Sequence, residues 1–140
     1  MTLREKQSAF VGCVGQLIAR ASTTGYALTF GEAWRTDEQA IINHLGPTGR
    51  EQLAQLVESD GYADLAAALR NNGKGTGIVL SVHMDRLAVD FNVFKDGALC
   101  SQEWQFEPLG MFWEGLNPLC RWGGRFSDYG HYSFEHEGRK

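Results

Sequence analysis

His83 and Asp90 stand seven residues apart, and Asp128 precedes His131 by three. Imidazoles and carboxylates are the hard-to-borderline ligands that zinc accepts. Two His and one Asp around that ion leave the fourth position open for water, the pattern of a catalytic rather than a closed structural site. A further carboxylate beside such a site can take a proton from the water and later return it. These residues matter only if the chain folds them to one place.

Asp90 lies in the clearest strand of the sequence, Leu87–Phe94. Its odd positions, Leu87, Val89, Phe91 and Val93, are all large and apolar. Side chains alternate along a strand, so the odd face looks into the core and Asp90 looks the other way, beside Ala88 and Asn92. That second face is half apolar, like the floor of a cleft. His83 is an odd number of residues upstream, so a straight strand cannot place it on the Asp90 face. A bend at Met84-Asp85-Arg86 would let the two converge. Past Gly130, His131, Ser133 and Glu135 share one face of a final strand, and Tyr132, Phe134 and His136 the other. The latter face reads as core, which makes His131 the better ligand and His136 a structural residue. The alternative is a site completed by Glu135 or His136. His44 falls in a polar, exposed stretch.

The remaining elements form the frame. Thr2 to Glu5 reads as a capping box opening a helix over Leu3–Ser22, with Leu3, Phe10, Val14, Leu17, Ile18 and Ala21 on one face. Arg4, Lys6 and an apolar run ending in Ala19-Arg20-Ala21 imitate a secretory leader. Gln16 and the helical periodicity favour a retained amphipathic helix, and hence synthesis in the cytoplasm without a signal. Tyr26–Phe30 reads as a strand, followed by a turn over Gly31–Asp37 and a polar helix toward His44. Gly46-Pro47-Thr48-Gly49 breaks that helix. Glu51–Arg70 reads as a helical pair with Leu53, Leu56 and Val57 on one stripe and Leu65, Ala66 and Leu69 on the other. Residues 71–77 (NNGKGTG) read as a surface loop leading into an apolar strand at Ile78–Leu80. Lys95-Asp96-Gly97 marks a hairpin turn into Ala98–Ser101. Trp104–Leu116 has helical spacing, with Pro108 expected near its first turn. Helices and strands mix without a regular βαβ alternation. The expected fold is a single α+β domain over residues 1–140, with a small antiparallel sheet and flanking helices.

The chain has 140 residues, 43% hydrophobic and 21% charged, the balance of a folded domain. Seventeen acidic against thirteen basic residues leave a net charge of −4. That disfavours nucleic-acid binding by phosphate neutralisation. No apolar run approaches the roughly 20 residues of a membrane span. Cys13, Cys100 and Cys120 are widely separated, with no CxxC pair, and read as reduced thiols.

Ser81-Val82-His83-Met84-Asp85-Arg86-Leu87-Ala88-Val89-Asp90 resembles the SxHxxGxAxD motif of the zinc D-alanyl-D-alanine carboxypeptidases. Relatives of those enzymes include the VanY-type enzymes and the phage L-alanyl-D-glutamate endopeptidases. Ser, His, Ala and Asp stand in register; Arg86 occupies the glycine position. Asp128-Tyr129-Gly130-His131 resembles the family's second motif, approached through Trp122-Gly123-Gly124. Gly31-Glu32-Ala33-Trp34-Arg35-Thr36 resembles the segment whose arginine contacts substrate. The matches run in the family's order from Tyr26 to Glu135.

The resemblance implies one zinc held by His83, Asp90 and His131, with Asp128 as general base and then acid. It implies that Arg35 stabilises the oxyanion or holds a substrate carboxylate; the alternative is a surface ion pair with Glu32 or Asp37. Ser81 is expected to orient a ligand or to be a plain strand-edge serine, and Trp122 to line the cleft or to pack in the core. The implied activity is hydrolysis of peptidoglycan stem peptides by a monomer of endolysin type, made in the cytoplasm and acting on the periplasmic wall after release. A D-Ala-D-Ala carboxypeptidase and a non-catalytic, zinc-containing wall-peptide-binding module are the alternatives. The helical insert Glu51–Arg70 corresponds to no part of the family pattern.

Overall fold

Thr2 and Glu5 start the first helix. The Thr2 hydroxyl accepts from the Glu5 N–H, and the Glu5 carboxylate accepts from the Thr2 N–H at 2.6 Å, a complete capping box opening α1 (Leu3–Thr23). The computed structural model describes residues 1–71 and 81–140, with backbone only at 37, 38, 42 and 43. The loop expected at 71–77 and the strand expected at 78–80 lie outside the described residues, except Asn71, which closes a helix.

The strands are β1 (Tyr26–Phe30), β2 (Ala88–Lys95), β3 (Ala98–Leu99), β4 (Cys120–Trp122) and β5 (His131–Phe134). They form an antiparallel sheet in the order β1-β2-β5-β4, with β3 paired to β2. The β2–β3 hairpin turns on Asp96 and Gly97, both at positive φ (52° and 79°), the conformation that a two-residue hairpin of this hand requires. The fold is α+β with a small antiparallel sheet and flanking helices.

The chain divides into two compact units. Residues 1–34 and 82–140 make the first, residues 35–81 the second. In the first, α1 packs on the sheet together with α5 (Glu103–Leu116). Leu17, Trp113, Tyr132 and Phe134 are sealed from solvent. The Phe10 ring meets Trp113 and Phe134 edge-on, at centroid separations of 5.7 and 5.4 Å. Such aromatic pairs add to the large apolar area each ring buries. Gln102 and Gln105 cap α5 reciprocally, so its first turn begins at Glu103. Pro108 therefore sits one turn deeper than expected. Its missing N–H leaves the carbonyl of Trp104 unbonded within the helix, at a residue 70% exposed, where water can satisfy it.

The second unit contains α2 (Asp37–His44), α3 (Pro47–Ser59) and α4 (Ala63–Asn71). Gly46-Pro47 ends α2 and also starts α3, with Pro at the first helical position. Its small core is Ala54, Ala66 and Leu69, flanked by Leu53 and Val57. Leu56, at 65% exposed, and Leu65 stay outside it, while Leu53, Val57, Ala66 and Leu69 of the same stripes reach it. The Arg70 guanidinium joins α4 to Glu51 (3.0 Å) and Glu58 (2.8 Å) of α3.

Candidate metal centre

The chain bends where the sequence placed a bend. The N–H of Arg86 donates to the His83 carbonyl at 3.1 Å, and that of Leu87 to Val82 at 3.0 Å. Arg86 closes this turn at φ 56°, in the left-handed region where glycine costs least. The glycine of the resembled motif fits that conformation. Here an arginine adopts it, with its guanidinium 4.8 Å from the centre of the Trp34 ring.

Beyond the turn, β2 carries Asp90 out on the face opposite the core. The Gly31 N–H donates to the Asp90 carbonyl at 2.7 Å, and the Asp90 N–H to the Glu32 carbonyl at 2.6 Å. Two residues thus oppose one, a β-bulge where β1 ends, and bulges re-aim nearby side chains. Because the main chain of Asp90 bonds toward the bulge, its pairing with His131 on β5 is a non-hydrogen-bonded one. Side chains come closest in such pairs. The approach to β5 needs two glycines. A Cβ on Gly130 would lie 2.6 Å from the Phe91 carbonyl oxygen, and one on Gly123 would collide with the Asp128 carbonyl.

The outcome is a compact triangle. His131 Nδ1 lies 2.9 Å from Asp90 Oδ1, and His83 Nε2 lies 3.3 Å from each of these atoms. Both imidazoles are buried and Asp90 is partly exposed. Three lone-pair atoms converge here with few protons to share among them. A tetrahedral zinc site, with ligands at about 2.0–2.1 Å, has edges of about 3.3 Å. The triangle matches one face of that tetrahedron, so these residues could hold a metal ion. Burial raises the Asp90 carboxyl, but hydrogen bonds from His131 and His83 and the charges of both outweigh it and bring it down to about 2.

Asp128 stands beside this group. Its backbone N–H donates to Gly123 at 2.9 Å, and its carbonyl accepts from His131 at 3.1 Å, which fixes the loop between them. Partial burial pushes its carboxyl above the ordinary range. His131 and His83 oppose that shift, and Asp90 adds to it. Asp90 and Asp128 share a cleft of about 350 Å³ whose other walls include Leu99, Ser101, Phe106 and Tyr129. None of these four was singled out in the sequence. They come from β3, α5 and the loop before β5, and only the folded sheet edge gathers them.

Of the two readings of Trp122, the structure matches packing in the core rather than lining the cleft. It is 1% exposed, and its register opposite Tyr132 puts it on the core face of the sheet, away from Asp90 and His131. Its indole N–H donates to the Tyr129 carbonyl at 2.9 Å. It supports the loop carrying Asp128 from behind and offers a ligand no surface. His136 does not join the group: its Nδ1 lies 3.2 Å from Lys6 Nζ. Glu135 pairs with Arg121. Arg35 opens the second unit and Ser81 closes it. No helix among the described residues is long and apolar enough to cross a membrane.

No protein-family model matches the chain. No curated protein matches it. Among solved structures, it is similar to the crystal structure of a vancomycin resistance D,D-pentapeptidase, VanY, from a VanB-type resistance cassette in complex with Zn(II). The two share 15% identity at a TM-score of 0.47, over 89% of this chain and 70% of that one.

Proposed function

We propose that the protein is a zinc-dependent peptidase acting on peptidoglycan stem peptides, of the endolysin type that cuts inside the peptide. The observation that carries this reading is the His83–Asp90–His131 triangle, whose Asp90 shares a cleft with a second carboxylate, Asp128. The order of the motifs in the sequence points to the peptide substrate.

Bound zinc would supply a Lewis acid that polarises a peptide carbonyl and acidifies water. His83, Asp90 and His131 would hold it. Asp128 accepts a proton at its carboxylate from the attacking water and delivers it to the departing amine. Its raised affinity for protons suits that exchange. The cleft walls hold the peptide in place and exclude part of the solvent. Arg35 is assigned to the oxyanion or a substrate carboxylate, and Ser81 to orienting a ligand. Trp122 supports the Asp128 loop.

Asp128→Ala tests the reading. The variant is expected to keep one zinc per chain and to lose cleavage of purified peptidoglycan by at least about 10²-fold, the usual contribution of a general acid–base. Cleavage at the parent rate would remove Asp128 from the mechanism. Zinc without cleavage in the parent itself would favour a wall-peptide-binding module.

A further inference from the structure

The turn carrying His83 is held by residues outside the ligand set and outside the cleft lining. Its own two backbone bonds close over a non-glycine residue at positive φ, Arg86, a conformation that leaves a turn needing support. Asp85, at its apex, receives that support twice. Gln7 Nε2 on α1 donates to the Asp85 carbonyl at 2.7 Å. Arg139 Nη1 lies 2.8 Å from Asp85 Oδ2, an ion pair whose side chains are 27% and 23% exposed.

Arg139 is itself placed by β5. After that strand, Glu137 and Gly138 both adopt positive φ (53° and 77°), and His136 and Arg139 close a two-residue turn with reciprocal bonds of 3.0 Å. Lys6 Nζ, 3.2 Å from His136 Nδ1, ties this turn to α1 one residue before Gln7. One strand thus presents His131 directly and, through Arg139 and Asp85, grips the turn that presents His83.

We propose that Arg139 is a positioning residue for the metal centre: its ion pair with Asp85 locks the His83 turn to the register of β5, so that both imidazoles meet Asp90 at ligating distance. The proposal rests on reading His83, Asp90 and His131 as metal ligands. An ion pair this close and partly shielded from solvent can hold a turn where a fully exposed one contributes little. Residues that orient metal ligands typically change affinity about 10–100-fold when replaced.

The test is zinc affinity, measured by competition with a chromogenic chelator, for the parent protein, Arg139→Gln, Asp85→Asn and the double variant. The melting temperature of each zinc-free protein is measured in parallel. Arg139→Gln is expected to weaken zinc binding about tenfold at a temperature where the zinc-free variant is fully folded. The double variant is expected to be no weaker than the worse single one, because both act through one contact. An Arg139→Gln affinity within about twofold of the parent would overturn the positioning role, as would losses that add in the double variant. A parent that binds no zinc would instead overturn the metal reading, and the proposal with it. A merely structural role would lower the melting temperature and leave the affinity of the folded protein unchanged.

Discussion

At the scale of single residues, the candidate metal centre is a problem of crowded lone pairs. His83, His131 and Asp90 approach within 3.3 Å of one another, and without a cation Asp90 is held as an anion by the two imidazoles. This has a consequence for the zinc-free protein. The folded-state pKa of Asp90 is lowered from 3.8 to about 2. Its ionised form therefore stabilises the fold. That contribution is complete above about pH 5 and is lost progressively as pH falls through 2. It is on the order of 2 kcal/mol. Urea titrations of the zinc-free parent and Asp90→Asn should converge in stability across that window. A gap that stays constant from pH 5 to pH 2 would contradict the pairing. The Asp90 assignment was legible in the sequence because alternation within β2 separates a continuous apolar face from the one carrying the carboxylate. For Trp122 the sequence left cleft and core both open, because its face depends on the Trp122–Tyr132 register, a pairing between distant residues that no local pattern encodes.

At the scale of elements, the site is made by two turns and a bulge set against the strand pair β2–β5. The bend after Val82 was expected from an odd spacing between His83 and Asp90, a parity argument that needs no tertiary information. The bulge of Gly31 and Glu32 against Asp90 was not foreseen, since it exists only once β1 and β2 are in register. Gly130 is a tightly constrained point of this assembly. Gly130→Ala would drive a methyl group toward the Phe91 carbonyl oxygen, 2.6 Å away, and push the Asp128–His131 loop off β2. The expected loss is about 1–3 kcal/mol of stability, the usual cost of overpacking. Weaker zinc binding should accompany it, because His131 leaves with the loop. Chemical denaturation together with zinc titration measures both. A variant with parental stability and parental affinity would show that the loop is not held there. Pro108 and Leu56 illustrate where local patterns stop: capping by Gln102 and Gln105 set the start of α5, and the packing of α3 against α4 decided which of their leucines were buried.

At the scale of the whole molecule, the two cores are closed within their own units. Among the described residues, every member of the larger core lies within 1–34 or 82–140, and every member of the smaller within 35–81. The four residues of the metal centre and its carboxylate belong to the larger. Replacing residues 35–81 by a short Gly-Ser link is therefore expected to leave a folded protein that still binds one zinc. Arg35 and Ser81 would be lost with that segment. If they serve the substrate, the shortened protein should bind metal yet fail to cleave; circular dichroism, metal content and a cleavage assay on the same preparation separate these outcomes. Loss of zinc on excision would mean that the second unit is needed to build the centre. The α+β class was readable from the mixed order of elements. The division into two units was not, because hydrophobic stripes show which faces are buried and leave open which core they join.

The measurement that tests the central claim most directly is zinc content and peptide cleavage on one preparation, before and after chelation. Purified protein is analysed for metal, and soluble products from Gram-negative peptidoglycan are identified by mass spectrometry. The account predicts one zinc per chain, chelator-sensitive release of new amino termini from within stem peptides, and recovery when zinc is restored. Release of single terminal D-alanine residues would shift the assignment to a carboxypeptidase. Protein that carries no metal after incubation with zinc, and releases nothing from peptidoglycan, would contradict the account.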